Sequence, residues 1–327
     1  MSNCAMSEVC ILEISIEKYE AFCIALEKKI LQPLDLTVFN SESNCKIISQ
    51  LCEAIFFEEI RKIISLLNNP SIGIASLDIP ESSLLNKNLN SIYGAAVVMG
   101  IFNKIGIPNI DPINQMPFAI HSASHSNAEQ LDAKNLFHYT PEVKLGFHND
   151  GLLSKNTIEI PKHIAIYNLY ISYMRPGNFM WIPTASWVDA DKYHQISKTE
   201  NINVKIKLTP SYYLDNVGNL KNSVSDLIEA PISTFNENGE YMFFLNGQVL
   251  LEDNLQKSVD FVQEIRNSLQ NNPEIIRIPQ KERRAFFITN TKGFHARDVF
   301  QDPIDGVDLT RVFLRMVDLN TETFSTQ

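Results

Sequence analysis

Two kinds of hydrophobic pattern divide the chain near residue 140. Before that point, apolar residues recur mostly at three- and four-residue spacing, which is typical of amphipathic helices. The predicted helices are Glu17–Ile30, Lys46–Leu67 and Ser91–Ile105, with Ser91 as the cap of the third. Two short apolar runs, Cys10–Ile16 and Gly73–Pro80, are predicted to be strands.

From Lys144 onward, β-branched and aromatic residues dominate the apolar runs, which favours strands. The predicted strands are His163–Ser172, Asn178–Ile182, Ile202–Leu208, Tyr241–Leu250, Glu274–Ile278, Ala285–Thr289 and Thr310–Asp318. One helix interrupts them, predicted to begin at an Asn254 cap and to end before Pro273. Two polar stretches, Thr184–Asn222 and Ser223–Gly239, are predicted to be long, partly irregular insertions of the kind that form lids or binding loops.

Many strands framed by helices predict the α+β class. The expected architecture is a double-stranded β-helix (jelly-roll) core with flanking N-terminal helices and a lid insertion. A doubly wound parallel sheet fits less well, because strands and helices do not alternate regularly and no Gly-x-Gly-x-x-Gly is present. We expect a single domain over 1–327, with a helix-rich layer in 1–140 and the core in 141–320, interrupted by the insertion at about 184–240.

Charge and cysteine content limit the kinds of partner and site that we expect. The 327 residues carry a net charge of −10, which disfavours nucleic acids and anionic membrane surfaces. All five cysteines fall within the first 52 residues without a Cys-x-x-Cys, so neither a disulfide framework nor a zinc site is expected. No signal peptide and no run of ~20 apolar residues is apparent, and we expect a cytoplasmic protein of undetermined oligomeric state.

Candidate chemistry centres on His148 and Asp150. Residues two apart on a strand share a face, so both side chains are expected to point to one centre. A second histidine, His295, is available from a distant strand. Two imidazoles and one carboxylate leave open positions on one side of a metal, which is the arrangement of non-haem Fe(II) oxygenases.

Two arginines occupy one face of the last predicted strand, Arg311 and Arg315. A guanidinium withdrawn from water needs an anion. Either protein acids such as Asp305 or Asp308 pair with these arginines, or they bind the carboxylates of small molecules, for which their planar donor groups are suited.

Together these motifs resemble the Fe(II)/2-oxoglutarate-dependent oxygenases, and within them the clavaminate synthase-like branch, which includes hydroxylases of free amino acids. The resemblance covers about residues 70 to 318. The motifs that carry it are His148-x-Asp150, His295-Ala296-Arg297, Asp305-Gly306-x-Asp308 and Arg311-x-x-x-Arg315. The segment from Ile160 to Pro183 also resembles the free-lysine hydroxylases and their halogenase relatives.

The resemblance implies that His148, Asp150 and His295 bind Fe(II), that Arg311 binds the distal carboxylate of 2-oxoglutarate, and that Arg315 binds a substrate carboxylate. It also implies hydroxylation of an unactivated C–H bond of a free L-amino acid, possibly a basic one such as lysine, with consumption of O₂ and release of succinate and CO₂. Asp150 favours hydroxylation over halogenation, because a small residue replaces this carboxylate in the related halogenases.

Several alternatives stay open. The same site could catalyse desaturation or act on a carrier-bound amino acid, or the jelly roll could bind a metal or a small acid without turnover. Phe179 stands where related oxygenases often have a threonine that helps to hold the cosubstrate. Glu129 and Asp132 are candidates for neutralising a substrate amine, and Trp187 and Tyr212 for covering the substrate, although structural roles are the simpler interpretation.

Overall fold

The computed structural model describes residues 10–30, 35–112, 114–124, 140–154, 157–207, 227–235, 241–245 and 254–325. Its helices are α1 (Ile16–Lys29), α2 (Glu42–Ile55), α3 (Phe57–Asn68), α4 (Lys87–Phe102), α5 (Ala190–Thr199) and α6 (Gln256–Gln270). Within the described residues, no helix is both long and apolar enough to cross a membrane.

The strands form two main sheets and several small ones. In chain order the strands are β1 (Ile11–Glu13), β2 (Ile74–Asp78), β3 (Ala119–Ser124), β4 (Leu145–His148), β5 (Leu152–Ser154), β6 (Thr157–Pro161), β7 (His163–Ile171), β8 (Tyr173–Arg175), β9 (Asn178–Pro183), β10 (Asn203–Lys207), β11 (Leu227–Pro231), β12 (Ser233–Phe235), β13 (Tyr241–Phe243), β14 (Ile276–Pro279), β15 (Arg284–Thr289), β16 (Gly293–Arg297), β17 (Gln301–Pro303), β18 (Leu309–Val317) and β19 (Thr321–Ser325). One main sheet has the order β1-β2-β15-β7-β18-β3, and the other has the order β14-β9-β16-β4. Apart from the parallel β1–β2 pair, the strand pairs of these two sheets are antiparallel.

The N-terminal helices cover one face of the six-stranded sheet. Alternation along β15 sets the two faces, because Ala285 and Phe287 pack with the helices whereas Phe286 and Ile288 belong to a second cluster. Helix α4 is buried around nearly its whole circumference, which explains why its sequence is almost uniformly apolar.

The second cluster joins the two main sheets. Phe179 and Trp181 of β9 pack there with residues of β15 and β14. On its other face, the four-stranded sheet packs against α5 and α6 through Met180, Ile182 and Phe294. The inner faces of both sheets are therefore turned toward each other, and every predicted site residue on β4, β16 and β18 has the strand parity of an inner-face position.

The predicted mixture of helices and strands is confirmed. The single helix predicted over Lys46–Leu67 is wrong, because Phe56 separates α2 from α3. The Phe56 N–H donates to the Cys52 carbonyl and closes α2, and its own carbonyl accepts from Ile60 to begin α3. The Phe56 ring is buried against Phe22, with the two ring centroids 5.4 Å apart, so packing fixes the break.

Two predicted helix caps are also wrong. Asn86 caps α4 by accepting from the Leu89 N–H at 2.9 Å, whereas Ser91 lies inside the helix. Helix α6 begins after Leu255 without a side-chain cap. Asn254 instead pairs with both backbone groups of Lys205 on β10, at 2.7 and 3.0 Å.

The insertion at 184–240 is more regular than predicted. It contains α5, an antiparallel pair of β10 with β11, and β12, which pairs with β13 beyond it. The reason is hydrophobic: Tyr193, Val204 and Ile232 are buried in the cluster that covers the outer face of the four-stranded sheet. Residues 208–226 and 236–240 lie outside the described residues.

Candidate metal and anion site

His148 and His295 face each other across two neighbouring antiparallel strands. They are register partners between β4 and β16, and their ring centroids lie 4.2 Å apart. Directly opposed residues are the closest side-chain neighbours that a sheet provides. Both imidazoles are buried, with 8% and 4% of their residue surface exposed. The strand pairing therefore brings together two histidines that are far apart in the sequence.

Asp150 lies just beyond the end of β4 and points to the same place. Its Oδ1 lies 3.6 Å from Nε2 of His148 and 3.8 Å from Nε2 of His295. One potential ligand atom from each of the three residues lies within 4.8 Å of the other two. The structure thus assembles the predicted group of two imidazoles and one carboxylate.

The hydrogen bond of His148 orients its ring for a metal. Its Nδ1 lies 2.8 Å from the Gly146 carbonyl, which makes Nδ1 the donor and leaves Nε2 as an acceptor toward Asp150. This bond from the second ring nitrogen to a backbone carbonyl is usual for a metal-binding histidine. His295 differs, since its buried Nδ1 has no partner among the described residues, and the Phe179 ring stacks on its imidazole at 5.9 Å.

The electrostatics of the three groups suit a metal. Burial lowers the pKa of His148, and burial together with the nearby His148 lowers the pKa of His295 to about 3. Burial alone would raise the pKa of Asp150, but the Arg315 guanidinium and the two imidazoles hold it well below its ordinary value. At neutral pH the site therefore presents two neutral imidazoles and an ionised carboxylate, the protonation states that bind metal.

Arg315 holds the other oxygen of Asp150. Its Nε and Nη2 donate to Oδ2 at 3.0 and 2.7 Å. Oδ1, the oxygen that faces the two histidines, is left for a metal. This arginine therefore pairs with the carboxylate of a predicted metal ligand.

Arg311 lies on the same strand in very different surroundings. It is 5% exposed, and its Nη2 donates to the neutral oxygens of Asn168 and Gln280 at 3.0 and 3.4 Å. Its guanidinium lies over the rings of Phe300 and Phe313, at 5.2 and 4.2 Å from their centroids. No carboxylate among the described residues lies within ion-pair distance of it.

Burial and the charge of Arg297 lower the pKa of Arg311 well below its ordinary value. A buried cation without an anionic partner is costly, and such groups mark binding sites for anions. Arg311 therefore has the surroundings expected of a residue that awaits a carboxylate from outside the protein.

Two buried asparagines outside the predicted site residues hold the end of β4. Asn149 and Asn290 are 2% and 0% exposed, and their side-chain amides bind backbone groups beside Asp150 and Gly293. No local pattern marks them, because their partners lie about 140 residues away in the chain.

The residues considered for covering the substrate or neutralising its amine do not contribute to the site as the structure describes it. Trp187 is buried in the cluster on the outer face of the four-stranded sheet, where its Nε1 donates to the Ser268 hydroxyl at 2.8 Å. It therefore packs the insertion and does not cover the site. Glu129, Asp132 and Tyr212 lie outside the described residues.

Comparison with known proteins gives structural relatives only. No family model and no curated protein matches the chain by sequence. Among solved structures, an asparagine oxygenase is similar over 95% of this chain and 93% of its own, with a TM-score of 0.64 and 12% identity. The same enzyme in complex with Fe(II), 3-hydroxyasparagine and succinate has a TM-score of 0.64 at 13% identity, with the same two coverages.

A second relative is the non-haem iron oxygenase OrfP in complex with Fe and α-ketoglutaric acid. It is similar over 94% of this chain and 93% of its own, with a TM-score of 0.62 and 10% identity. The predicted resemblance is confirmed at the level of the fold. The chain has the fold of iron oxygenases whose structures contain Fe(II), 2-oxoglutarate or succinate, and amino acid products.

Proposed function

We propose that this protein is an Fe(II)- and 2-oxoglutarate-dependent dioxygenase that hydroxylates a free L-amino acid. One observation carries the proposal. Ligand atoms of His148, Asp150 and His295 lie within 4.8 Å of one another at the inner face of one sheet. On β18 of the facing sheet lies the buried Arg311, which has no carboxylate partner among the described residues. A metal site on one sheet and an anion site on the sheet that faces it match the needs of this enzyme class.

The three ligands fit Fe(II) by their chemistry. His148 would bind through Nε2, since its Nδ1 is engaged by the Gly146 carbonyl, and Asp150 would bind through Oδ1, since its Oδ2 is engaged by Arg315. When bound, Fe(II) would supply the O₂ activation that couples decarboxylation of 2-oxoglutarate to hydroxylation of a C–H bond. The stacked Phe179 ring would shield His295 from water.

Arg311 would bind the distal carboxylate of 2-oxoglutarate. The guanidinium is held in place by Asn168, Gln280 and two aromatic rings before any ligand arrives, so little ordering is needed on binding. The neutral hydrogen-bond partners leave its charge uncompensated for the incoming anion. Phe179 has no hydroxyl, so it cannot supply the threonine-type hydrogen bond to the cosubstrate that related oxygenases often use; its ring stacks with Phe286 and His295.

Arg315 would bind the substrate carboxylate, as the sequence resemblance implies. It lies beside the proposed metal site, because its Nε and Nη2 donate to Asp150. A free amino acid is favoured because the relatives are described with 3-hydroxyasparagine and hydroxylated arginine. A basic substrate such as lysine rests on the sequence resemblance around Ile160–Pro183.

The architecture that we propose is the double-stranded β-helix. The two main sheets with their inner faces turned together, and the similarity to the oxygenase structures, support it. In this arrangement His148 and His295 come from one sheet and Arg311 and Arg315 from the other. The mouth between the sheets would hold the cosubstrate and the substrate.

The proposal is tested without guessing the substrate. Fe(II) and then 2-oxoglutarate are added anaerobically to metal-free protein, and the weak visible charge-transfer band of the chelate is measured. We expect a band in the parent, and its loss or strong weakening in His295→Ala and Arg311→Ala. A well-folded parent that binds iron but gives no band would contradict the proposal. Oxygen-dependent succinate release is then screened with a panel of free amino acids.

Three alternatives give different results. A non-catalytic jelly roll would bind metal or 2-oxoglutarate without any release of succinate in air. Desaturation would give a product two mass units lighter than the substrate, whereas hydroxylation gives one sixteen units heavier. With a carrier-bound substrate, free amino acids would not stimulate succinate release, whereas the carrier-bound amino acid would.

A further inference from the structure

We infer that Asn290, together with Asn149, is a positioning residue of the metal site. The inference rests on the proposed function, because it concerns how the chain holds the three proposed ligands in place. Asp150 is not part of a regular strand, since β4 ends at His148. Something other than a strand partner must therefore fix the backbone from which this carboxylate projects.

Asn290 supplies that contact. Its Oδ1 accepts from the Asp150 N–H at 3.0 Å, and its Nδ2 donates to the Asp150 carbonyl at 2.9 Å. The same Nδ2 donates to the Pro161 carbonyl at 3.0 Å. The side-chain amide thus binds both backbone groups of Asp150, as a neighbouring strand would, at a point where the ladder has ended.

Asn149 makes the reciprocal contact. Its Nδ2 donates to the carbonyls of Asn290 and Gly293, at 3.0 and 2.7 Å. Its Oδ1 accepts from Leu245, and its N–H donates to the Leu245 carbonyl. Gly293 begins β16, two residues before His295. The two asparagines therefore tie the backbone of Asp150 to the start of the strand that carries His295.

The position of these contacts suggests more than general stability. They join the segment that carries His148 and Asp150 directly to the segment that leads into His295. Groups that orient metal ligands from outside typically change metal affinity by 10- to 100-fold when they are removed. A loss of this register would separate Asp150 from the two histidines before the fold itself is lost.

Asn90 provides a matched control. It is also a buried asparagine, 1% exposed, whose Nδ2 donates to the carbonyls of Ser82 and Leu85 at 2.9 and 3.1 Å and whose Oδ1 accepts from the Ser82 N–H. It lies in α4, in the helical layer. Replacing it by leucine removes similar hydrogen bonds without changing the segments that carry His148, Asp150 and His295.

The test is the dissociation constant for Co(II) alone, measured anaerobically below the melting temperature of each variant. We expect Asn290→Leu to weaken Co(II) binding about 10- to 100-fold and to change the visible spectrum of the bound Co(II). Asn90→Leu should lower the melting temperature but keep Co(II) binding within about threefold of the parent. If Asn290→Leu does not fold, Asn149→Ala removes the reciprocal contacts and should weaken Co(II) binding by about tenfold.

Each remaining outcome counts against the inference. If the asparagine variants of the site lose stability and bind Co(II) as tightly as the parent, their role is structural only, although the proposed function stands. If Asn90→Leu weakens Co(II) binding as strongly as Asn290→Leu, the effect is a general result of destabilisation. A folded parent that binds neither Co(II) nor Fe(II) overturns both the inference and the proposed function.

Discussion

Two buried arginines of the same sheet have opposite surroundings. Arg284 on β15 is 6% exposed and donates to both oxygens of Asp78 on β2, at 2.6 and 2.7 Å. The two residues are register partners, so the pair is built into the strand ladder. Arg311 is 5% exposed, its hydrogen bonds go to neutral oxygens, aromatic rings lie against it, and the charge that acts on it among the described residues is that of another cation, Arg297.

The difference distinguishes a buried charge that stabilises the fold, at Arg284, from a buried charge that is available to a ligand, at Arg311. Desolvating a guanidinium is costly in both places, and only at Arg284 does the protein itself supply the compensating carboxylate. Evolution of a stable core alone would favour a partner or an apolar residue at Arg311. We therefore interpret Arg311 as a ligand-binding residue and Arg284 as a residue that stabilises the fold.

The largest expected effect is on ligand binding at Arg311. Arg311→Leu should weaken 2-oxoglutarate binding by about 2–5 kcal/mol, because the ligand carboxylate would enter an apolar site without its counter-charge. Anaerobic titration of the Fe(II)-loaded protein with 2-oxoglutarate measures this loss. Arg284→Leu is the control and should leave the affinity nearly unchanged as long as the protein is folded. Equal affinities in parent and Arg311→Leu would refute the binding role.

The second effect is on the free energy of unfolding, which we expect to fall more in the Arg284 variant than in the Arg311 variant. Arg284→Leu leaves the Asp78 carboxylate buried with only Lys281, whose side chain is 53% exposed, so we expect a loss of about 3 kcal/mol in the free energy of unfolding. Arg311→Leu removes a charge that has no anionic partner and should change stability by less than about 1 kcal/mol, or increase it. Urea unfolding of both ligand-free variants measures the difference. A larger loss in Arg311→Leu than in Arg284→Leu would reverse the interpretation.

A third arginine falls between these two cases. Arg315 pairs with Asp150, a proposed metal ligand, so its removal should affect the metal as well as the substrate. We expect Arg315→Ala to weaken Fe(II) binding by about tenfold, since Asp150 loses the contact that leaves only Oδ1 for the metal. Arg315→Lys restores one charged donor and should recover part of the affinity. Fe(II) affinity that is identical in all three proteins would show that the pair has no part in metal binding.

Much of this arrangement could be predicted from the sequence, and the reasons are local. Strand parity places Arg311 and Arg315 on one face of β18, and parity depends only on position along one strand. The same rule led to the expectation that His148 and Asp150 share a centre, although β4 ends at His148 and Asn290 holds the backbone of Asp150. The pairing of Arg315 with Asp150 could not be predicted, because it depends on how two sheets pack across 165 residues of sequence. The same holds for Asn149 and Asn290, whose buried amides look like any other polar loop residues until their distant partners are known.

The errors in the helices have a similar origin. The break at Phe56 and the capping by Asn86 and not Ser91 depend on tertiary packing and on a choice between two nearby capping residues. Within the insertion at 184–240 the sequence predicts the strand that corresponds to β10 but not α5, because the apolar residues there are few. They nevertheless suffice to pack α5 and β10 against the outer face of the four-stranded sheet. Periodicity identifies elements that bury one long face and misses those that add a few residues to an existing core.

The smallest effect that distinguishes the two arginines is acid sensitivity. Burial would raise the pKa of Asp78, but its hydrogen bonds with Arg284 and Lys281 lower it below the ordinary value. A carboxyl with a lowered folded-state pKa stabilises the protein above its unfolded pKa of about 3.9, and this contribution is lost as the pH falls through the folded-state value. Arg311 stays charged throughout this range and adds no such slope.

The expected result is therefore a parent whose stability falls on acidification below about pH 5, partly through Asp78. Asp78→Asn should be less stable than the parent at pH 7, and the difference should shrink toward pH 3. Thermal unfolding of both proteins across this range, with Arg311→Leu in parallel, measures the change. The Arg311 variant should follow the parent curve, because no carboxylate of the described chain depends on that guanidinium. If its acid response instead matches that of Asp78→Asn, Arg311 pairs with a protein acid after all, and the distinction between the two arginines fails.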